Sequence, residues 1–91
     1  MYGLLAEKYQ NLYKVLAHPT RIKIIRMLTK TKYDVSSIAT KLELNQSNIS
    51  QHLQILRKNR IVFSKSQGKR RVYVLSDSYK RLADYLEKFN S

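Results

Sequence analysis

The sequence contains no cysteine and no tryptophan, one proline, two glycines and only six acidic residues. Without cysteine there are no disulfides, thiolate zinc sites or cysteine nucleophiles. No apolar run is long enough to span a membrane, and the first ten residues, MYGLLAEKYQ, lack the unbroken apolar stretch of a signal peptide. These absences predict a cytoplasmic protein. Its 91 residues predict a single domain, 1–91, whose small core favours pairing with a second copy.

The few acids are outnumbered by 18 Lys and Arg, which gives a net charge of +12. No acid lies between Glu43 and Asp77. The cations of that interval are Arg57, Lys58, Arg60, Lys65, Lys69, Arg70 and Arg71. A block of one sign favours a polyanionic partner. A solvated surface is one alternative, although it usually mixes both signs. An anionic membrane is another, although the basic block as a whole does not form a helix with Trp, Phe or Leu opposite its cations.

Residues 45–58, NQSNISQHLQILRK, have the spacing of an amphipathic helix. Ile49, Leu53 and Leu56 form its apolar stripe. The other side carries hydroxyl and amide side chains and a lysine, with no acid, and these are Ser47, Asn48, Ser50, Gln51, Gln54 and Lys58. Such side chains can hydrogen-bond to base edges and phosphates in DNA. An ordinary solvated helix is the alternative, and the elements around this segment are needed to choose between a DNA-reading helix and a solvated one.

Periodicity and breaks predict a mainly α fold with a small β-hairpin (α+β), in the order α-α-α-α-β-β-α. The predicted helices begin near Leu4, at Pro19, after Asp34 or Ser36, at Asn45 and after Asp77, and the strands lie near residues 61–63 and 72–75. The second helix is expected to turn Ile22, Ile25 and Leu28 or Thr29 inward, with Ile24 and Met27 widening this stripe. Its Arg21 is expected to face solvent. Residues 31–34 are expected to be a short link.

The third and fourth helices are separated by a short turn, which is the spacing of a helix-turn-helix. The hairpin insert SKSQGKRR includes Gly68, which can take positive φ, and projects cations beside that motif. The fold predicted is therefore a winged helix-turn-helix. The wing residues predicted to contact DNA are Lys65, Gln67, Lys69, Arg70 and Arg71.

Catalysis and metal binding have little support in the sequence. His18 and His52 are far apart and lack acidic neighbours, so His52 is expected to pack beside the apolar stripe or to contact phosphate. No Ser-His-Asp grouping, phosphate loop or paired carboxylates are visible. We therefore predict no enzyme activity, catalytic residue, cofactor or metal.

Three segments resemble the ArsR family of winged-helix regulators: LAHPTRIKIIRML, VSSIATKLELNQSNISQHLQILRKNRIV and SKSQGKRRVYVLSD. The resemblance implies a homodimer that binds a pseudo-palindromic operator in double-stranded DNA and represses transcription until an unidentified effector lowers its affinity. It also implies that residues 1–17 and 77–91 are dimerisation helices. The interface residues then expected are Leu5, Tyr9, Leu12, Tyr79, Leu82, Leu86 and Phe89.

The sequence departs from the family where many relatives bind metals. The positions matching a thiolate pair are Asp34 and Ser36, and Tyr79 stands where a histidine ligand is expected, so neither metal site carries over. Many relatives have glycine at Arg60, and here Asn59 is expected to take the left-handed conformation instead. An architectural, nucleoid-associated DNA coat and a winged helix that binds only protein are the alternatives to a regulator.

Overall fold

A computed structural model describes residues 14–81. Its elements are α1 (Pro19–Lys30), β1 (Tyr33–Asp34), α2 (Val35–Leu42), α3 (Gln46–Lys58), β2 (Val62–Gln67) and β3 (Arg70–Leu75). Residues 14–16 and 77–81 are also helical. The predicted winged helix-turn-helix architecture, mostly helical with a small sheet, is confirmed.

The sheet has three strands where the sequence predicted two. β3 lies in the centre, with β1 on one side and β2 on the other, and both pairings are antiparallel. Tyr33 pairs with Tyr73 and Asp34 with Val72, so the predicted link before α2 contains a strand. A strand of two residues is too short to show the period-two alternation that identifies strands in a sequence.

α1 begins at Pro19, where the sequence predicts the start of a helix. The imidazole Nδ1 of His18 accepts a hydrogen bond from the backbone N–H of Thr20 at 3.3 Å. The inward side of the helix agrees with the prediction at Ile24 and Leu28, which are buried, and differs at Ile22, which is 42% exposed. Two residues four apart therefore define the buried stripe, and Ile22 lies on its outer side.

α2 and α3 both begin at side-chain caps. Asp34 Oδ1 accepts from the Ser37 N–H at 2.8 Å, and Asn45 Oδ1 accepts from the Asn48 N–H at 2.7 Å. Each cap satisfies a backbone donor that has no partner within the helix. Both helices start where the sequence predicts, the first at one of its two candidate positions, Asp34 and Ser36. The caps fix where the two helices of the motif start.

The turn between α2 and α3 passes through Glu43, whose φ of 56° is left-handed. The Leu44 N–H donates to the Ala39 carbonyl at 3.0 Å, and the Glu43 N–H donates to the Thr40 carbonyl at 3.3 Å. This pair of bonds is the Schellman ending of a helix, which glycine usually provides. A residue with a Cβ takes the conformation here, at a cost in backbone energy.

α3 ends in the same way. Arg60 has a φ of 59°, and the Ile61 N–H donates to the Leu56 carbonyl at 2.9 Å. The side chains of Leu56 and Ile61 are both fully buried in the same core cluster, at the two positions where an apolar pair commonly accompanies this ending. The prediction that Asn59 would be left-handed is wrong. Asn59 has a φ of −91° and its amide donates to the Ile55 carbonyl at 2.8 Å.

α3 supplies more fully buried side chains than any other element of the described structure. The largest such side chains are Ile24, Leu28, Ile38, Ile49, Leu53, Leu56, Ile61 and Val62. Burying one leucine or isoleucine contributes about 1.5–3 kcal/mol. The inner face of α3 is therefore held between α1, α2 and the sheet, and this holds its outer face in a fixed position.

Candidate nucleic-acid interface

The outer face of α3 is polar and open to solvent. Its exposed side chains include Ser47, Ser50, Gln51, Gln54 and Lys58, while Asn48 is half-buried at the edge of the same face. Their spacing of three and four residues places them side by side on one surface. The structure thus brings together the six residues that the sequence singled out on this helix. Ile49, Leu53 and Leu56 lie on the opposite side and are buried, as predicted.

The charge along α3 has one sign. The first turn holds no acidic residue, and the last turn holds Arg57 and Lys58, both exposed. The carboxylate nearest in the chain is Glu43, which precedes the helix. Neutral hydrogen-bonding groups thus occupy the first turns and cations the last, an arrangement suited to an anionic partner with polar edges.

The wing cations are divided between the two faces of the hairpin. Lys65 lies opposite Val72, and Gln67 lies opposite Arg70. Because side chains alternate along a strand, Lys65, Gln67 and Arg70 share one face, while Arg71 points to the other. All four, and Lys69 in the turn, are exposed. The sequence had grouped these residues as one set, and the register separates them.

The wing tip is a two-residue turn, Gly68 and Lys69, between the paired residues Gln67 and Arg70. Gly68 has a φ of 64°, and a Cβ added to it would meet no atom within 4 Å. Two-residue hairpin turns need positive φ at their first position. The backbone of the turn, and not a close contact, accounts for glycine here.

Asp34 connects the wing to the start of α2. Its Oδ2 lies 3.6 Å from the Nε of Arg70, and the two side chains are 16% and 77% exposed. Hydrogen bonds from Ser37, followed by the charge of Arg70, hold the pKa of Asp34 below its usual value. Sequence reasoning found the cap and missed the ion pair, because the pair depends on the β1–β3 register.

A second group of contacts that the sequence did not predict lies on the inner side of α3, and it joins His52 to Arg21 and His18. His52 is only 8% exposed, and its Nδ1 accepts a hydrogen bond from the Nε of Arg21 at 3.2 Å. The His18 and His52 rings are 4.4 Å apart between centroids, at 60°. Burial, followed by the nearby His18 and Arg21, lowers the pKa of His52. The expectation of a solvated Arg21 is wrong, whereas the expectation of a packed His52 is confirmed.

Asp34 and Ser36, which stand where related proteins have a metal-binding cysteine pair, do not fit a metal ion. One oxygen of Asp34 accepts from Ser37 and the other faces Arg70, and Ser36 offers only an exposed hydroxyl. Within residues 14–81, no three His, Asp or Glu side chains come together where they could hold a metal ion. Over the same range, every helix is too short or too polar to cross a bilayer.

Tyr79 is the single predicted interface residue that the structure describes. It packs, partly buried, against the core of its own chain, and burial raises the pKa of its hydroxyl. The other residues predicted at a dimer interface lie outside the described range, and these are Leu5, Tyr9, Leu12, Leu82, Leu86 and Phe89.

Comparison with known proteins agrees with this geometry. Residues 18–64, just over half of the chain, match the family described as bacterial regulatory protein, arsR family. The transcriptional repressor SmtB homolog of Synechocystis sp. is 27% identical over 88 residues, which are 91% of this chain and 67% of that protein. The transcriptional activator HlyU of Vibrio cholerae is 34% identical over 67 residues, which are 74% of this chain and 62% of that protein. The chain thus spans about two thirds of the length of these two relatives.

Solved structures share the fold over nearly the whole chain. Reduced HlyU from Vibrio cholerae has a TM-score of 0.84 at 29% identity, covering 97% of this chain and 94% of that chain. A homodimeric winged helix-turn-helix DNA-binding domain from Mycobacterium bovis, a possible ArsR-family transcriptional regulator, has a TM-score of 0.86 at 24% identity, covering 98% and 83%. The matched family is one of regulatory proteins, and the two relatives above are a transcriptional repressor and a transcriptional activator. The chain belongs to the arsR family of bacterial regulatory proteins.

Proposed function

We propose that this protein is a sequence-specific transcriptional regulator that sets α3 into the major groove of double-stranded DNA. The observation that carries the proposal is the division of α3 into two faces. One face is buried in the core, and the other presents exposed amides and hydroxyls without an acid. A rigidly held helix of this kind can read base edges, since its side chains keep a fixed register on the groove.

The two kinds of side chain have different roles in the proposal. Gln51 and Gln54 face adenine edges, where a good bidentate pair discriminates by about 1–3 kcal/mol. The hydroxyls of Ser47 and Ser50, with Asn48 beside them, contact the backbone and neighbouring bases. Lys58 and the wing residues hold phosphates, which orient the protein without reading sequence. Those wing residues are Lys65, Gln67, Lys69, Arg70 and Arg71.

The functional unit in this proposal is a homodimer on a pseudo-palindromic operator, and its action is repression. The Mycobacterium bovis domain with this fold is described as homodimeric, and the small core of this chain favours pairing. The relatives include a repressor and an activator, so the direction of control needs its own test. A reporter behind the selected operator should lose expression when the protein is supplied, and a rise in expression would make it an activator.

Selection from a random duplex library tests specificity and symmetry together. We expect recovered sequences to share a motif with twofold symmetry and half-sites about one helical turn apart. Sedimentation of the protein with the recovered duplex should give two chains per duplex. A motif without symmetry would contradict the dimer, and the absence of any enriched motif would contradict sequence-specific binding.

A second candidate is an architectural protein that coats DNA with little sequence preference. The net charge of +12 favours it, because phosphate neutralisation alone gives strong binding at low salt. Footprinting on long genomic fragments separates the two functions. Discrete protected palindromes support the regulator, and uniform protection supports the coat.

A further inference from the structure

Arg21 connects three segments of the chain: α1, α3 and the turn that precedes α1. It lies on α1, its Nε donates to His52 Nδ1 on α3 at 3.2 Å, and its Nη1 donates to the carbonyl of Val15 at 3.2 Å. Val15 belongs to the helical turn before α1 and is itself buried in the core. One guanidinium therefore connects α3 to the segment that leads into α1.

His52 is well placed to transmit a shift to the outer face of α3. It is buried on the inner side, next in the chain to Gln51, whose side chain is exposed on the outer side. Because a helix of this length moves as a rigid rod, rotation or translation at His52 also moves Gln51 and Ser50. Base contacts are sensitive to displacements of about 1 Å.

The bond from Arg21 requires a neutral imidazole. Nδ1 accepts a hydrogen bond only when it carries no proton, and in the protonated ring both nitrogens are donors. Among the described residues, the charged or titratable groups that act on the ring are Arg21 from α1 and His18 from the residues before it. Neither can offset a positive charge on His52. Protonation thus places two donors against each other and adds a cation beside a guanidinium.

We propose that Arg21 is a positioning residue for α3, that it acts through the neutral ring of His52, and that protonation of His52 releases α3 and weakens sequence-specific DNA binding. The inference rests on the proposed function for its DNA readout. It predicts opposite effects of acid on two kinds of DNA. Specific binding falls because the base-reading side chains lose their register, whereas scrambled DNA gains from the added positive charge.

Two asparagine variants separate the histidines. In His52→Asn, the amide oxygen takes the place of Nδ1, so an acceptor remains at every pH. In His18→Asn, a favoured capping residue replaces the cap of α1 and removes the other imidazole. Arg21→Gln removes the guanidinium. Circular dichroism at each pH confirms that a variant is folded before it is compared.

The binding experiment uses the duplex recovered by selection and a scrambled duplex of equal composition, at pH 7.5 to 5.5 and constant ionic strength. We expect the wild type and His18→Asn to lose about tenfold in specific affinity on acidification, and His52→Asn to change less than twofold. Arg21→Gln should show the reduced specific affinity already at pH 7.5. An equal acid-induced loss in His52→Asn, or equal losses on both duplexes, would overturn the proposal.

A readout without DNA keeps this inference distinct from the proposed function. In nuclear magnetic resonance titrations of the free protein, the amide signals of Ser50 and Gln51 should shift with the protonation of His52 in the wild type. They should not titrate in His52→Asn, and in Arg21→Gln the His52 titration should move to higher pH. Absence of coupling overturns the inference even if DNA binds. Coupling without DNA binding supports the positioning role and refutes the proposed function alone.

Discussion

The carboxylate of Asp34 and the guanidinium of Arg70 face each other at 3.6 Å, and this contact joins the start of the helix-turn-helix to the wing. Arg70 is one of the cations proposed to hold phosphate, and Asp34 is the acid that faces it. The same carboxylate caps α2 through Ser37. Asp34 therefore has a structural role at the helix and an electrostatic role at the wing.

Asp34→Asn should strengthen DNA binding without changing sequence preference. The amide can still accept from the Ser37 N–H, while the negative charge beside Arg70 is lost. We expect a gain of roughly twofold to fivefold on operator and scrambled duplex alike, from fluorescence anisotropy at low salt. Asp77→Asn removes the same charge outside the sheet and serves as the control. A gain confined to the operator would contradict this account.

Gln51→Ala should reduce the sequence selectivity of DNA binding, whereas Lys69→Ala should reduce the affinity for every DNA. Because Gln51 is proposed to contact a base, loss of its amide in Gln51→Ala should lower the ratio of operator to scrambled affinity by about tenfold. Lys69→Ala should weaken both duplexes equally and reduce the slope of log affinity against log salt by roughly one. Titrations at four or more salt concentrations provide both quantities. The assignment of the two residues fails if both variants lose selectivity to the same extent.

Glu43→Gly and Arg60→Gly should each raise the free energy of unfolding by about 1 kcal/mol. Both residues have positive φ, and both stand at helix endings where glycine avoids the strain of a Cβ. Urea unfolding at pH 7.5 measures the change. Arg57→Gly, at an exposed helical position, should instead lower the value by about 1 kcal/mol. Destabilisation by all three variants would show that the left-handed turns carry no strain.

Gly68 is already the favoured residue at a position with positive φ, so substitutions there should lower the stability of the protein. Gly68→Val should destabilise the hairpin by about 1–2 kcal/mol, because a β-branched side chain resists the positive φ while the space around it is open. Gly68→Asn should cost much less, since asparagine tolerates this conformation. Thermal or urea unfolding gives both values. Equal costs would point to a contact at the wing tip in place of backbone strain.

Stability should fall with acid in a window set by His52. Its pKa is lowered in the folded protein, so on acidification the unfolded chain takes up a proton first. The neutral ring contributes its full stability at a pH above the ordinary histidine pKa of about 6.5. This contribution is lost as the pH falls through the lower pKa that His52 has in the folded protein. Urea unfolding between pH 7.5 and 5 should show a steeper decline for the wild type than for His52→Asn. Parallel declines would contradict a role for this ring.

Local features of the fold could be predicted from sequence, and contacts between distant segments could not. The caps Asp34 and Asn45 depend on residues three positions away, and the stripe of α3 repeats every three or four. β1 is only two residues long and exists because β3 pairs with it. The bond from Arg21 to His52 joins residues 31 positions apart, which periodicity does not report.

The residues predicted to contact DNA show the same difference between local patterns and contacts of distant segments. Amphipathic spacing identified six polar residues on the outer side of α3, whereas the register of the hairpin was needed to separate Arg71 from Arg70. Left-handed Arg60 was missed because propensity favours Asn59. Ile61 is fully buried and its N–H donates to the Leu56 carbonyl, and this arrangement, which has Arg60 as the left-handed residue, depends on burial in the folded core.

The short β1–β3 pairing has a consequence for the order of folding. Tyr33 and Tyr73, whose numbers differ by 40, enclose α2 and α3 within one loop, so this pairing carries a larger closure entropy than the β2–β3 hairpin. We expect it to form after the folding transition state. Tyr33→Ala should then accelerate unfolding and leave the folding rate nearly unchanged in stopped-flow measurements. The contact between β1 and β3 would thus form late in folding and break early in unfolding, while the core residues at the base of the wing stay packed.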